Sequence, residues 1–130
     1  MNKASAFFLV GPTASGKSDI AHILAKKDSL DIISADSMNI YKGMDIGTAK
    51  PSHLDQVAYN YIGINLIDPV ENFSVVDWMN SIKSTWKKKH VPIVVGGTGL
   101  YIKCLTIGMD ESEPENELLR DALDRLSLEE

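Results

Sequence analysis

Two short apolar runs, Ala6 to Val10 and Val91 to Val95, and a third strand-like segment, Leu30 to Ser34, punctuate the chain. Continuous apolar runs of this length are what a parallel strand covered on both faces requires. A fourth segment, Tyr59 to Ile67, is β-prone through Tyr59, Tyr61, Ile62, Ile64, Leu66 and Ile67, and closes at Asp68-Pro69. Helical spacing fills the intervals. Ile20, Ile23 and Leu24 define an apolar stripe over Asp19 to Lys27. Pro51 can open a short helix to Ala58. Ser74 is a candidate N-cap, with Asp77 three residues on, for a helix carrying Val75, Met79, Ile82 and Trp86, with Trp78 beside the stripe. Leu100 to Ile107 forms a last apolar helix. Alternation of strand and helix predicts an α/β fold, a P-loop NTPase-like parallel sheet flanked by helices. The same reading takes residues 1–109 as that core and residues 110–130 as an acidic linker, Asp110 to Pro114, followed by an amphipathic helix over Glu115 to Leu126.

The junction between the first strand and the first helix is Gly11-Pro12-Thr13-Ala14-Ser15-Gly16-Lys17-Ser18, which fits the phosphate-loop pattern G-x-x-x-x-G-K-[ST]. Its mechanism needs a strand before it and a helix after it, and both signals are present. Gly11 and Gly16 allow the tight path, loop amides and the helix dipole attract an anion, and Lys17 adds a full charge. Ser18 offers a hydroxyl to magnesium or to a ligand oxygen. A diphosphate or polyphosphate is the expected ligand.

Two more junctions belong to the same sheet edge. Asp36 directly follows the second strand. Its carboxylate can serve as a general base, as a turn or helix cap, or as a magnesium ligand through water. The run Val91 to Val95 ends in Gly96-Gly97-Thr98-Gly99 rather than in the acidic magnesium ligand of many nucleotide hydrolases, which argues against an ATPase motor or GTPase. Thr98 can donate into a crevice or cap the helix that follows. In an open parallel sheet, ligands bind beyond the carboxyl ends of the strands, so Gly11, Asp36 and Thr98 should meet in one crevice. The long connection from Met38 to Pro51 exceeds a plain turn and reads as functional or mobile.

Composition adds bounds. The 130 residues, 44% hydrophobic and 24% charged, suit one globular domain. No apolar run approaches the roughly 20 residues of a membrane span. Met1 to Ser5 lacks signal-peptide anatomy. A single cysteine, Cys104, suits packing in a reducing, cytoplasmic setting. The net charge of −5 disfavours broad electrostatic attraction to nucleic acid. However, Asp110 to Glu130 holds nine acidic against two basic side chains, which leaves about +2 on the remaining residues. Lys83, Lys87, Lys88 and Lys89 crowd one helix end, where the dipole favours cations, and read as a solvated cap more than as an RNA patch. His90 reads as a surface residue.

Three motifs together resemble a known family. The loop Gly11 to Ser18 is similar to that of the tRNA dimethylallyltransferases. Ser34-Ala35-Asp36-Ser37 and Tyr41-Lys42-Gly43-Met44-Asp45-Ile46-Gly47-Thr48-Ala49-Lys50-Pro51 match the family's second signature, and Val94-Val95-Gly96-Gly97-Thr98-Gly99-Leu100-Tyr101 resembles its third. The first is generic to phosphate-loop proteins; the second and third are specific.

The resemblance implies transfer of a dimethylallyl group from dimethylallyl diphosphate to N6 of an adenine next to the anticodon of tRNA. By that resemblance Asp36 and Thr98 are the catalytic positions, Gly11, Pro12, Thr13, Ala14, Ser15, Gly16, Lys17 and Ser18 hold the diphosphate, and Ser18 faces Mg2+. Asp36, Ser37, Met38, Asn39 and Thr98 contact the tRNA anticodon stem-loop. A soluble, monomeric cytoplasmic enzyme is implied. Family members are about twice this long, so the 130 residues match the N-terminal part, ending about where a helical insertion would begin, whether as a natural short protein, a fragment or a damaged reading frame, with an uncertain activity of their own. Competing readings are an adenylate (AMP or ADP) dimethylallyltransferase, a small phosphate-loop kinase, and a non-catalytic fragment that binds diphosphate or nucleotide.

Overall fold

The computed structural model describes residues 6–12, 14–47, 49–86, 90–97 and 99–107. The expected acidic linker and terminal helix at residues 110–130, Lys87 to Lys89, Met1 to Ser5 and the two site residues Thr13 and Thr98 lie outside these.

Among the described residues eight elements alternate: β1 (Phe7–Val10), α1 (Lys17–Asp28), β2 (Ile32–Ser34), α2 (His53–Ala58), β3 (Tyr61–Ile62), α3 (Val75–Thr85), β4 (Ile93–Gly96) and α4 (Gly99–Ile107). The strands form one parallel sheet in the order β1-β4-β2-β3. The α/β architecture expected from the alternation is therefore present.

One face of the sheet packs Ile33 and Val94 against Trp78 and Ile82 of α3 and Tyr101 of α4. Trp78 is fully buried, stacks on Tyr101 at 4.6 Å between ring centroids, and donates its indole N–H to the Ser34 carbonyl at 3.2 Å. Read from periodicity as a flank of the α3 stripe, it is instead the stripe's centre. The other face packs Ile32, Ile93 and Val95 against Ala21 and Ala25 of α1.

That second face corrects an expectation. Ile20, Ile23 and Leu24 are exposed, at 47%, 67% and 38%, and the buried side of α1 is the alanine pair. Small side chains let α1 approach the sheet closely, and the larger residues one position away are turned outward. The first run is likewise not the covered strand that its sequence suggests. Among the described residues β1 has one strand neighbour, β4, and Phe7, Phe8 and Val10 remain exposed.

The segment Tyr59 to Ile67 is strand only at Tyr61–Ile62. Gly63 and Asn65 have φ of 90° and 54°, which takes the chain out of the extended region. Residues 65–67 then hydrogen-bond to residues 39–42, with an isolated parallel bridge between Tyr41 and Ile67. The helix expected from Pro51 begins at His53, where Ser52 rather than proline supplies the cap by accepting from the Asp55 N–H at 3.2 Å. Cys104 is buried in α4 and His90 is exposed, as their contexts suggest.

Candidate functional site

Strand register decides which residues share the carboxyl edge. Val10 pairs with Gly96, and Ser34 pairs with Val95, so the chain leaves β1, β4 and β2 at adjacent positions. A cavity of about 770 Å³ opens there. The loop residues Gly11, Pro12, Ala14, Ser15, Gly16, Lys17 and Ser18 line one side, and Ser34, Asp36, Met38 and Asn39 line another. Gly47, Ala49 and Pro51 of the long connection, Tyr61 of β3, and Gly96 and Gly97 complete the wall. The cradle and the carboxylate thus share one crevice.

The loop has the conformation its sequence requires. Gly16 stands at the N-cap of α1 with φ 85°, a region that L side chains rarely adopt, and Ala14 also has positive φ, 62°. No side chain caps α1, so its first amides have no internal partner of that kind, and Gly16, Lys17 and Ser18 line the crevice. Lys17 donates to the carbonyls of Gly11 and Pro12, the latter at 2.6 Å, and approaches Ser15 Oγ at 3.4 Å. Ser15 Oγ also donates to the Pro12 carbonyl at 2.6 Å. The ammonium therefore rests on its own loop, beside an open cavity.

Asp36 is partly buried, and its Oδ1 accepts from the Met38 N–H at 2.8 Å, while its carbonyl accepts from Asn39 N–H at 3.2 Å. It caps the turn and lines the crevice. Asn39 is buried, donates Nδ2–H to Ser34 Oγ at 3.2 Å, and its Oδ1 has no hydrogen-bond partner among the described residues. A buried acceptor left so costs about 1–3 kcal/mol.

Gly96 explains the missing acid at the end of β4. A Cβ at position 96 would lie 2.2 Å from the Ala35 carbonyl oxygen. The glycine lets the Ala35-Asp36 backbone cross the strand end, held by the Ala35 N–H donating to the Val95 carbonyl at 2.8 Å. Any larger residue would push Asp36 away.

Some wall residues were not singled out from sequence. Tyr61 shares a 2.7 Å hydrogen bond with His22 Nε2, and His22 stacks on Tyr59 at 4.1 Å. Burial first, then the charges of Asp55 and Tyr59, push the Tyr61 phenol well above its ordinary range. Tyr101, in the core behind the crevice rather than on its wall, is also raised, first by burial and then by Tyr41 and Asp36. Its place in the third motif was the only signal in the sequence.

Among the described residues no group of three or more His, Cys, Asp or Glu side chains could hold a metal ion. The donor set nevertheless suits magnesium, which commonly takes one protein oxygen and completes its shell with phosphate and water. Ser18, on the first turn of α1 at the cavity wall, carries a hydroxyl that could offer such an oxygen. No helix among the described residues is long and apolar enough to cross a membrane.

Comparison with known proteins agrees with this geometry. A family model described as IPP transferase matches residues 39–130, and one described as isopentenyl transferase matches residues 4–65. A tRNA dimethylallyltransferase of Nitrosococcus oceani is 44% identical over 124 residues, covering 92% of this chain and 40% of the relative. One of Francisella tularensis subsp. novicida is 43% identical over 120 residues, covering 89% of this chain and 39% of the relative. The solved tRNA isopentenylpyrophosphate transferase of Bacillus halodurans superimposes with a TM-score of 0.72 at 32% identity, over 98% of this chain and 44% of that one. The chain spans about two fifths of the curated relatives it matches. With a parallel phosphate-loop sheet, an acidic residue at its carboxyl edge and a family model covering more than half its length, the chain belongs to the IPP transferase family.

Proposed function

We propose that the crevice transfers a dimethylallyl group from dimethylallyl diphosphate to N6 of an adenine in the anticodon loop of tRNA. The observation that carries this reading is the placement of Asp36 and the phosphate loop on the same cavity. In this account the amides of Ala14 to Ser18 and the Lys17 ammonium take the diphosphate. Lys17 would exchange its contacts with Gly11 and Pro12 for contacts with the ligand.

The chemistry fits such an arrangement. The N6 lone pair of adenine is delocalised into the ring and is a weak nucleophile. The allylic carbon tolerates developing positive charge, so the larger demand is to stabilise the departing diphosphate. Preorganised donors aimed at that charge supply the stabilisation. When bound at Ser18, magnesium would neutralise part of the diphosphate charge. Asp36 would orient the amine and accept its proton as nitrogen bonds to carbon. Met38 N–H, donating to Oδ1, fixes the carboxylate for that task. Met38 and Asn39 line the side from which the acceptor would approach, and Ser37 lies between Asp36 and Met38 in the same turn. Thr13 and Thr98 keep the roles the resemblance gives them: the one to hold diphosphate, the other as a catalytic and tRNA-contacting position. An adenine from an anticodon loop must leave its stack to enter, as bases do in other enzymes that act on them.

The test is a mass assay on the chain with dimethylallyl diphosphate, magnesium and an anticodon stem-loop RNA, with AMP offered in parallel. Gain of a dimethylallyl group on the RNA adenine is expected. Lys17→Ala should abolish diphosphate binding. Asp36→Ala should spare it and lower transfer about 10²- to 10⁴-fold. Product on AMP alone, or equal loss of diphosphate binding in both variants, would contradict the proposal.

A further inference from the structure

Lys50 lies between two crevice-lining residues, Ala49 and Pro51, yet its own side chain is only 1% exposed. Its ammonium has three donors, and three acceptors meet it: the Tyr41 carbonyl at 2.6 Å, Asn65 Oδ1 at 2.7 Å and Asp45 Oδ1 at 2.9 Å. Asp45 is 67% exposed, so the carboxylate is the outer end of the arrangement and the two neutral oxygens are the inner end. The network closes on itself. Asn65 Nδ2–H donates to Gln56 Oε1 at 3.1 Å, and Gln56 Nε2–H donates to the Pro51 carbonyl at 2.8 Å.

This clamp sits where the acceptor side of the crevice is built. Residues 39–42 and 65–67 are joined by backbone bonds: Asn65 N–H to the Asn39 carbonyl at 3.0 Å, Leu66 N–H to Ile40 at 2.7 Å, and Lys42 N–H to Ile67 at 2.9 Å. Lys50 bonds to a member of each segment, Tyr41 and Asn65. Asp36, Met38 and Asn39 belong to the turn that leads into the first of them. A lysine this deeply buried is costly unless every donor is met, and here it is met by groups five, nine and fifteen residues away along the chain. Packing alone would be served by an apolar residue.

We propose that Lys50 is a positioning residue: its buried ammonium clamps the long connection and the Tyr41 segment onto Asn65 and so holds Asp36 and Asn39 opposite the phosphate loop. The proposal deepens the functional reading above and rests on it for the identity of the acceptor, though not for the clamp itself.

The variants that test it are Lys50→Met, Asn65→Gly and Asn65→Asp. Asn65 has φ 54°, which glycine adopts freely and aspartate tolerates, so the pair separates backbone strain from loss of the Lys50 acceptor. Amide hydrogen exchange is measured by segment on the whole chain. Inorganic pyrophosphate with magnesium and an anticodon stem-loop RNA are titrated in parallel. Lys50→Met and Asn65→Gly should speed exchange at least tenfold over residues 38–42 and 65–67. Residues 18–28 and 93–96 should change less than twofold, and so should pyrophosphate affinity, whereas RNA affinity should fall about tenfold. Asn65→Asp keeps the Lys50 acceptor and loses the donation to Gln56, so its exchange over residues 38–42 should rise less than that of Asn65→Gly.

Exchange that rises equally in all elements, or stays unchanged at 38–42, would overturn the proposal. So would Asn65→Asp matching Asn65→Gly. A wild-type chain binding neither pyrophosphate nor RNA would instead defeat the functional reading, and the exchange comparison would still decide the clamp.

Discussion

At position 96 the absent side chain matters as much as any present one. Sequence reading treats Gly96 as the place where a magnesium-binding acid is missing. The structure gives the spacing its physical cause, because the Ala35 carbonyl occupies the space a Cβ would need. Gly96→Ala is expected to destabilise the fold by about 1–3 kcal/mol, the usual cost of overpacking. Gly99→Ala, at the first residue of α4 with nothing within 4 Å of its Cβ position, should be neutral or stabilise by up to about 1 kcal/mol. Chemical denaturation of the two variants checks the contrast. An equal loss in both would show that the crossing at Ala35 is not what constrains residue 96. The phosphate loop and Asp36 were readable because their chemistry depends on local order along the chain. Lys50 and Tyr61 were not, since each finds its partners across long loops: Lys50 reaches Asn65, and Tyr61 reaches His22.

Among the elements, α3 and α1 show where periodicity succeeds and fails. The cap of α3 was legible: Ser74 Oγ accepts from the Asp77 N–H at 3.3 Å, and Asp77 Oδ2 accepts from the Ser74 N–H at 2.9 Å. For α1 the spacing of Ile20, Ile23 and Leu24 pointed to the wrong face, because a close helix–sheet contact selects Ala21 and Ala25 by size rather than by hydrophobicity. The cap supports a pH prediction. Asp77 is held below its ordinary 3.8 chiefly by the Ser74 backbone hydrogen bond and next by the Ser74 hydroxyl. Its folded value is thus lower than its unfolded one, so its stabilisation is complete above the unfolded value and is lost as pH falls through the folded value. Ser74→Ala should cost about 1 kcal/mol at pH 7. Thermal unfolding should show this cost shrinking once the pH drops below the ordinary aspartate range. A cost independent of pH would mean that the Ser74 hydroxyl does not support the Asp77 carboxylate.

For the whole molecule, sequence order could not supply the strand order β1-β4-β2-β3, which depends on pairings between runs far apart in the chain. It did supply the shared edge, because parallel strands all end on one side. It did not foresee that β1 and the outer side of α1 would leave Phe7, Val10 and Ile23 exposed. The central claim concerns that shared edge: one crevice in which the loop after β1 holds a diphosphate in view of the carboxylate after β2. The most direct test is a crystal structure of the chain with pyrophosphate and magnesium. The account predicts diphosphate on the amides at the start of α1, with Lys17 Nζ moved from the Gly11 and Pro12 carbonyls onto the ligand and Asp36 facing it across the same cavity. Diphosphate bound elsewhere, or Lys17 still seated on its own loop beside a bound diphosphate, would contradict it.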